Sequence, residues 1–176
     1  PKKILSWYDN NKRILPWRIG QNCKKKQYYR ILSEFMLQQT QVKTVIPYFK
    51  NFVKKIPNLK ALSRSNEKKV LKLWEGLGYY NRAKNLHKTS KILIKKYNGQ
   101  IPESFSKLKE LPGIGDYTAN ILLALIYNQP RVALDGNVKR ILSRLNNINS
   151  EDAVYLFKTK RNGDLAEALM EFGALI

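Results

Sequence analysis

Apolar side chains recur along this chain at the spacing of an α-helix, and no stretch sustains the alternation of a β-strand. Tyr28, Ile31, Leu32, Phe35 and Met36 fall at i, i+3, i+4, i+7 and i+8, one face of a helix turned to a core. That spacing predicts a helix over 27–39. Val70, Leu71 and Trp74 repeat it, as do Ala83, Leu86, Leu93 and Tyr97, with Asn81 as the expected N-cap and Gly99 as the stop. A pattern from Tyr117 to Tyr127 and another at Val138, Ile141, Leu142 and Leu145, capped by Asp135, add two more. Pro57, Gly76, Gly78, Gly99, Pro102, Pro112, Gly113, Gly115, Pro130 and Gly163 punctuate these segments. The expected fold class is all-α, with short helices, short loops and no internal repeat.

The chain can fill such a fold. Of 176 residues, 43% are hydrophobic and 11% aromatic, well above the composition that leaves a charged chain unfolded. Its one cysteine, Cys23, excludes an internal disulfide framework or a four-thiolate metal site within this sequence. The apolar run from Ile121 to Tyr127 is far shorter than the roughly 18 residues a membrane span needs. The first residues, PKKILSWYDNN, carry no signal-peptide core. The expectation is a reducing cytoplasmic setting with no membrane partner, and the start at Pro1 rather than Met suggests a trimmed or partial chain.

Charge narrows the partner. With 33 Lys and Arg against 13 Asp and Glu, the formal charge is +20. Between Asp9 and Glu67 the only carboxylate is Glu34, and none lies between Glu75 and Glu103. Cations at this density neutralise a polyphosphate and release its counterions, so nucleic acid is the leading partner, with a merely lysine-rich composition as the alternative. Lys24 to Lys26 reads as a solvated loop.

Two local patterns carry chemistry. Leu111-Pro112-Gly113-Ile114-Gly115 lies between an amphipathic segment, Phe105 to Leu108, and the apolar helix from Tyr117, which resembles a helix-hairpin-helix element. Glycines at 113 and 115 would allow positive φ and leave the amides of the next helix open to a phosphate oxygen. Twenty residues past Gly115 stands Asp135, in Leu-Asp-Gly-Asn-Val-Lys-Arg. As an N-cap it would accept from the N–H of Asn137 or Val138, which favours its charged form. Beside a sugar C1′ an ionised carboxylate lowers the barrier to breaking a glycosidic bond. Glu34 stands among bulky apolar residues in Ser-Glu-Phe-Met-Leu-Gln-Gln-Thr-Gln, where desolvation would raise its pKa and let it donate a proton to a leaving purine. Taken singly, Asp135 also reads as a structural cap and Glu34 as an ordinary helix carboxylate. His87 has no Cys or His companion at metal spacing and is assigned no chemistry.

With these residues in view, the chain resembles the catalytic domain of the adenine DNA glycosylases, helix-hairpin-helix enzymes of base excision repair. The resemblance runs from Leu15-Pro16-Trp17-Arg18 to Gly173-Ala174-Leu175-Ile176. It is most specific at Ser33 to Gln41 with Val45 to Phe49, at Trp74-Glu75-Gly76-Leu77-Gly78-Tyr79-Tyr80 with Arg82, Asn85, Leu86 and His87, and at Leu134 to Arg140. It implies a two-lobed helical fold, one lobe over 20–130 with its hairpin at 105–127, the other from 1–19 and 131–176. It implies hydrolysis of the bond holding adenine mispaired with 8-oxoguanine or guanine. Glu34 is then the general acid, Asp135 the stabiliser of the sugar cation, and Tyr117 a supporting active-site hydroxyl. Related lyases carry a Schiff-base lysine at the Tyr117 position, so a monofunctional enzyme is implied. Arg13, Leu15, Arg18 and Glu167 would line the adenine pocket. Gln39, Thr40, Leu77 and Tyr79 would wedge into the duplex or touch the opposing base, and Gly113, Ile114, Gly115 and Thr118 would meet its backbone.

The same resemblance implies a monomer acting on double-stranded DNA, in the nucleoid of a bacterial cytoplasm. Family members usually continue into four cysteines holding a [4Fe-4S] cluster and then into a domain that reads 8-oxoguanine. No cofactor is expected on these residues, and a cluster is expected only if the natural chain continues past Ile176. The interval 146–164 looks about a dozen residues shorter than the family's. Two other readings stay open: a thymine glycosylase for G:T mismatches, and a non-catalytic helix-hairpin-helix module that only binds DNA.

Overall fold

The computed structural model describes residues 1–18, 23–145 and 159–175, and these are all-α, without strands. In chain order the helices are α1 (Lys2–Asn11), α2 (Cys23–Leu37), α3 (Val42–Lys55), α4 (Leu59–Arg64), α5 (Glu67–Trp74), α6 (Asn81–Tyr97), α7 (Phe105–Lys109), α8 (Asp116–Tyr127), α9 (Gly136–Arg144) and α10 (Asn162–Gly173). They fall into two compact units, Ile14–Ile114 and Pro1–Arg13 with Gly115–Ile176.

The first unit is built on α2. Ile31, Leu32, Phe35 and Met36 are wholly buried, and α3 and α6 pack on this helix. Val45, Phe49, Phe52, Leu62, Trp74 and Leu86 complete the core, all without exposed surface. The helix starts earlier than its apolar face suggests, so Lys24 to Lys26 stand in its first turns and not in a loop. Lysine is a good helix former, and its stem needs no core contact. Asn58 and Asn66 cap α4 and α5, accepting from Ala61 N–H at 2.8 Å and Lys68 N–H at 2.9 Å. Asn81 does not cap α6: the cap position is Tyr80, without a side-chain bond. The stop of α6 is Asn98 at φ 55°, followed by Gly99 at φ 77°.

The second unit is organised by α10, which packs on α1, α8 and α9. Leu5, Val138, Ile141, Leu142, Leu165 and Leu169 form one core cluster, and Ile121, Ala124, Leu125, Ala133 and Ala166 another. Gly163 lets α10 approach α8, since a Cβ there would meet the Ala124 carbonyl oxygen at 2.9 Å. Two asparagines tie the same corner. Asn128 donates to the Lys160 carbonyl at 2.8 Å and accepts from Gly163 N–H at 3.1 Å, while Asn162 donates to the Asn128 carbonyl at 2.8 Å.

These contacts give α8 to the second unit, so the seams lie at 13/14 and 114/115, not at 19/20 and 130/131 as the sequence suggested. The helix is buried along Ile121 to Leu125, and a helix apolar all round does not declare its partners. Of the interval 146–164, residues 146–158 lie outside the described residues.

Candidate functional site

In the unit Ile14–Ile114, Glu34 sits on α2 with 8% of its surface exposed. Leu15 is buried and Arg18 half-buried, and Arg18 N–H closes a turn onto the Leu15 carbonyl at 3.0 Å. Past the end of α2 the chain turns sharply, with Gln39 at φ 57°, and past α5 it turns again, with Tyr79 at φ 48°. Among the described residues the other non-glycine positions at positive φ are Asn98 and Asn128, both helix C-caps, where asparagine is at home. Gln39 and Tyr79 have no such excuse, and the left-handed region costs an L residue roughly 1–2 kcal/mol.

Arg82, in the first turn of α6, grips both turns. Its Nη1 donates to the carbonyls of Phe35 (3.4 Å), Met36 (2.8 Å) and Gln38 and to Thr40 Oγ1 (3.1 Å). Its Nη2 donates to the carbonyls of Leu77 (3.1 Å) and Gly78 (3.0 Å). The Trp74 and Tyr79 rings lie 5.6 Å and 5.3 Å from the guanidinium carbon, within cation–π range. Burial pushes its pKa down, with Tyr79 opposing, yet an arginine starts so high that it stays charged. Beside it opens a cleft of about 360 Å³ lined by Gln38, Gln39, Tyr79, Tyr80, Asn81 and Arg82. Gln39 and Tyr79 are exposed at these tips, Thr40 is half-buried, and Leu77 is packed away with 5% of its surface exposed.

The glycine turn hangs from the same helices. Gln38 Nε2 donates to the Gly113 carbonyl at 3.2 Å and Thr89 Oγ1 to the Pro112 carbonyl at 2.9 Å. Gly113 has φ 80°, and a Cβ on it would meet Phe35 Cε1 at 2.8 Å and Asn85 Cβ at 2.9 Å. Positive φ was expected at Gly115 as well, and there the structure differs. Gly115 is extended (φ −88°, ψ −177°) as the N-cap of α8, with open space where its Cβ would be. Ile114 and Thr118 are buried, so neither side chain is presented to solvent, while Gly113 and Gly115 are exposed.

In the second unit Asp135 is the N-cap of α9. Its Oδ1 accepts from Val138 N–H at 2.7 Å and its Oδ2 from the Asn137 side-chain amide at 3.1 Å. Asn137 Oδ1 in turn accepts from Arg140 Nη1 at 3.2 Å, and Arg140 also donates to the Gly173 carbonyl. Gly173 is needed there, since a Cβ would meet the Asn137 carbonyl carbon at 2.7 Å. Tyr117 is half-buried and donates to Met170 Sδ at 3.2 Å. Glu167, 5% exposed, accepts from Tyr8 Oη at 2.6 Å. Arg13 pairs with Glu171, Nε to Oε1 at 3.4 Å and backbone N–H to Oε2 at 3.2 Å.

Arg82, Tyr8, Asn137, Arg140 and Glu171 were not singled out from the sequence for these roles. Arg82 and Tyr8 reach across 44 and 159 residues to Gln38 and Glu167, which no local pattern signals; Asn137, two residues from Asp135, was within reach of capping logic. Among the described residues no group of three or more His, Cys, Asp or Glu is placed to hold a metal ion.

The family model for the HhH-GPD superfamily base excision DNA repair protein matches residues 32–162, which span Glu34, the glycine turn and Asp135. The chain belongs to the HhH-GPD superfamily. Among its relatives, the adenine DNA glycosylase of Buchnera aphidicola subsp. Baizongia pistaciae is 45% identical over 98% of this chain and 51% of that protein. The Homo sapiens adenine DNA glycosylase is 36% identical over 98% of this chain and 35% of that protein. This HhH-GPD chain thus spans about half the length, or less, of the curated relatives it matches. Its fold is shared with a thermostable thymine-DNA glycosylase (TM-score 0.86, 24% identity, 99% of this chain and 84% of that one). It is also shared with an endonuclease III trapped in a covalent DNA intermediate (TM-score 0.79, 21% identity, 99% and 83%).

Proposed function

We propose that this chain is the catalytic part of an adenine DNA glycosylase, hydrolysing the N-glycosidic bond of adenine mispaired with 8-oxoguanine or guanine in duplex DNA. The observation that carries the reading is Asp135. Two hydrogen bonds aim its carboxylate at the N-terminus of α9, on the matched segment of a chain whose curated relatives are adenine DNA glycosylases.

The chemistry divides between two carboxyl groups. Glu34 lies on α2 with 8% of its surface exposed. It donates a proton to the adenine ring, so that the base leaves neutral. Asp135 faces the positive charge that develops at C1′, and water completes the hydrolysis. Tyr117 supplies a hydroxyl where a lyase needs an amine, which supports a reaction without a covalent imine. Within the second unit, Glu167, oriented by Tyr8, and Arg13, held by Glu171, are assigned to contact with adenine; within the first unit, Leu15 and Arg18 are assigned the same role. Gly113 and Gly115 offer bare backbone to a phosphate, and the +20 charge supports duplex DNA as the substrate.

The family's iron–sulfur cluster does not fit on these residues, because Cys23 is the only thiolate among 176. A cluster of that kind would need thiolates that these residues do not supply.

Replacing Glu34 with Gln keeps size and removes the proton, so single-turnover release of adenine from an 8-oxoguanine:adenine duplex drops roughly 10²–10⁴-fold while DNA binding persists. Near-normal release by that variant refutes the role of Glu34. Release of thymine from a G:T duplex by the unchanged chain, with adenine untouched, refutes the substrate.

A further inference from the structure

We propose that Arg82 is the positioning residue for opposing-base recognition: its guanidinium locks the two strained tips, Gln39 and Tyr79, into one rigid probe. The assignment deepens the reading above and rests on it.

The geometry is specific. Six acceptors lie within hydrogen-bond distance of one buried guanidinium, four of them sharing the two N–H groups of Nη1: three are carbonyls at or just past the C-terminus of α2 and two are carbonyls immediately before Tyr79. The C-terminal carbonyls of a helix lack partners within it, and a cation there also complements the helix dipole. Arg82 therefore caps α2 from another helix. The bonds to Gln38 and Thr40 bracket Gln39, and those to Leu77 and Gly78, with the Tyr79 ring on the guanidinium, fix Tyr79. Trp74 Nε1 adds a bond to the Gly78 carbonyl at 3.2 Å.

Neither tip would stay at positive φ unaided, and a planar fork with donors on both arms is the side chain that holds two loops at once. Lysine offers a point charge that reaches one rim at a time. Arg82 itself is 7% exposed while Tyr79 is 62% exposed, so the arginine acts through the tips and not by touching the base.

The test uses the whole chain and its Arg82→Lys and Arg82→Met variants. Single-turnover release of adenine is measured opposite 8-oxoguanine and opposite guanine, each rate taken per active molecule from the burst amplitude. In parallel, amide hydrogen exchange is followed across residues 14–114. The ratio of the two rates falls about tenfold toward one in Arg82→Met and by an intermediate amount in Arg82→Lys. Exchange quickens at 38–41 and 77–82 and little elsewhere.

Four results overturn the assignment: an unchanged ratio beside a reduced active fraction, exchange that quickens evenly through the unit, a wild-type ratio already near one, or failure of both variants to fold. If the wild-type chain releases no adenine at all, the proposed function fails instead, and the exchange pattern alone decides whether Arg82 holds the tips.

Discussion

Two glycines two positions apart face opposite demands, so alanine at each should separate folding from DNA binding. At Gly113 the backbone has φ 80°, and the new Cβ would lie 2.8 Å from Phe35 Cε1 and 2.9 Å from Asn85 Cβ. Phe35 is wholly buried and cannot swing away. Positive φ costs about 1–2 kcal/mol and overpacking about 1–3 kcal/mol, offset by roughly 0.4–1 kcal/mol from a stiffer unfolded chain. Gly113→Ala should thus lose about 1–5 kcal/mol, which for a chain of this size lowers Tm by about 2–18 °C. Gly115 is extended, with open space at its Cβ position. Gly115→Ala should fold as well as the parent or gain about 0.4–1 kcal/mol. Its methyl group, however, stands where a phosphate would approach the first amides of α8, and duplex affinity should fall about 5–30-fold, roughly 1–2 kcal/mol. Thermal denaturation and fluorescence anisotropy on one duplex measure both. A Gly113→Ala chain within about 0.5 kcal/mol of the parent refutes the strain argument, and undiminished binding by Gly115→Ala refutes phosphate contact at this turn.

Three further outcomes are expected. If about five phosphates are neutralised, log K for duplex DNA falls with log salt at a slope of about −4 to −5, and a flat dependence refutes phosphate-led binding. Borohydride traps little or no protein–DNA adduct and strand breaks appear only after alkali or heat, whereas efficient trapping mapped to a lysine refutes the monofunctional reading. Burial, aided by Lys91, pushes the His87 pKa down against a hydrogen bond to the Ser65 backbone and the charge of Glu67, and its Nε2 is buried without a partner. Because the unfolded chain then binds the proton more readily, stability is whole above the ordinary histidine value and is lost as pH falls below it. The urea midpoint should drop between pH 7.5 and 5, less so in His87→Gln, and an equal drop in both refutes the role of His87.

The all-α class, most helix positions, the glycine turn and the Asp135 cap were legible along the chain, since each rests on contacts within one or two turns of it. Apolar spacing marks a buried face, and an Asp before a helix finds its own N–H donor three residues on. The structure decided what depends on partners distant in sequence. The single α8 strip, apolar on every side, was assigned to α10 by an asparagine pair and by Gly163, and the seam moved with it. Arg82 was one cation among 33 until folding brought the end of α2 and the turn before Tyr79 within reach of the same guanidinium. Local periodicity is written along the chain, whereas the partners of a long side chain are set only when segments far apart in sequence share one core.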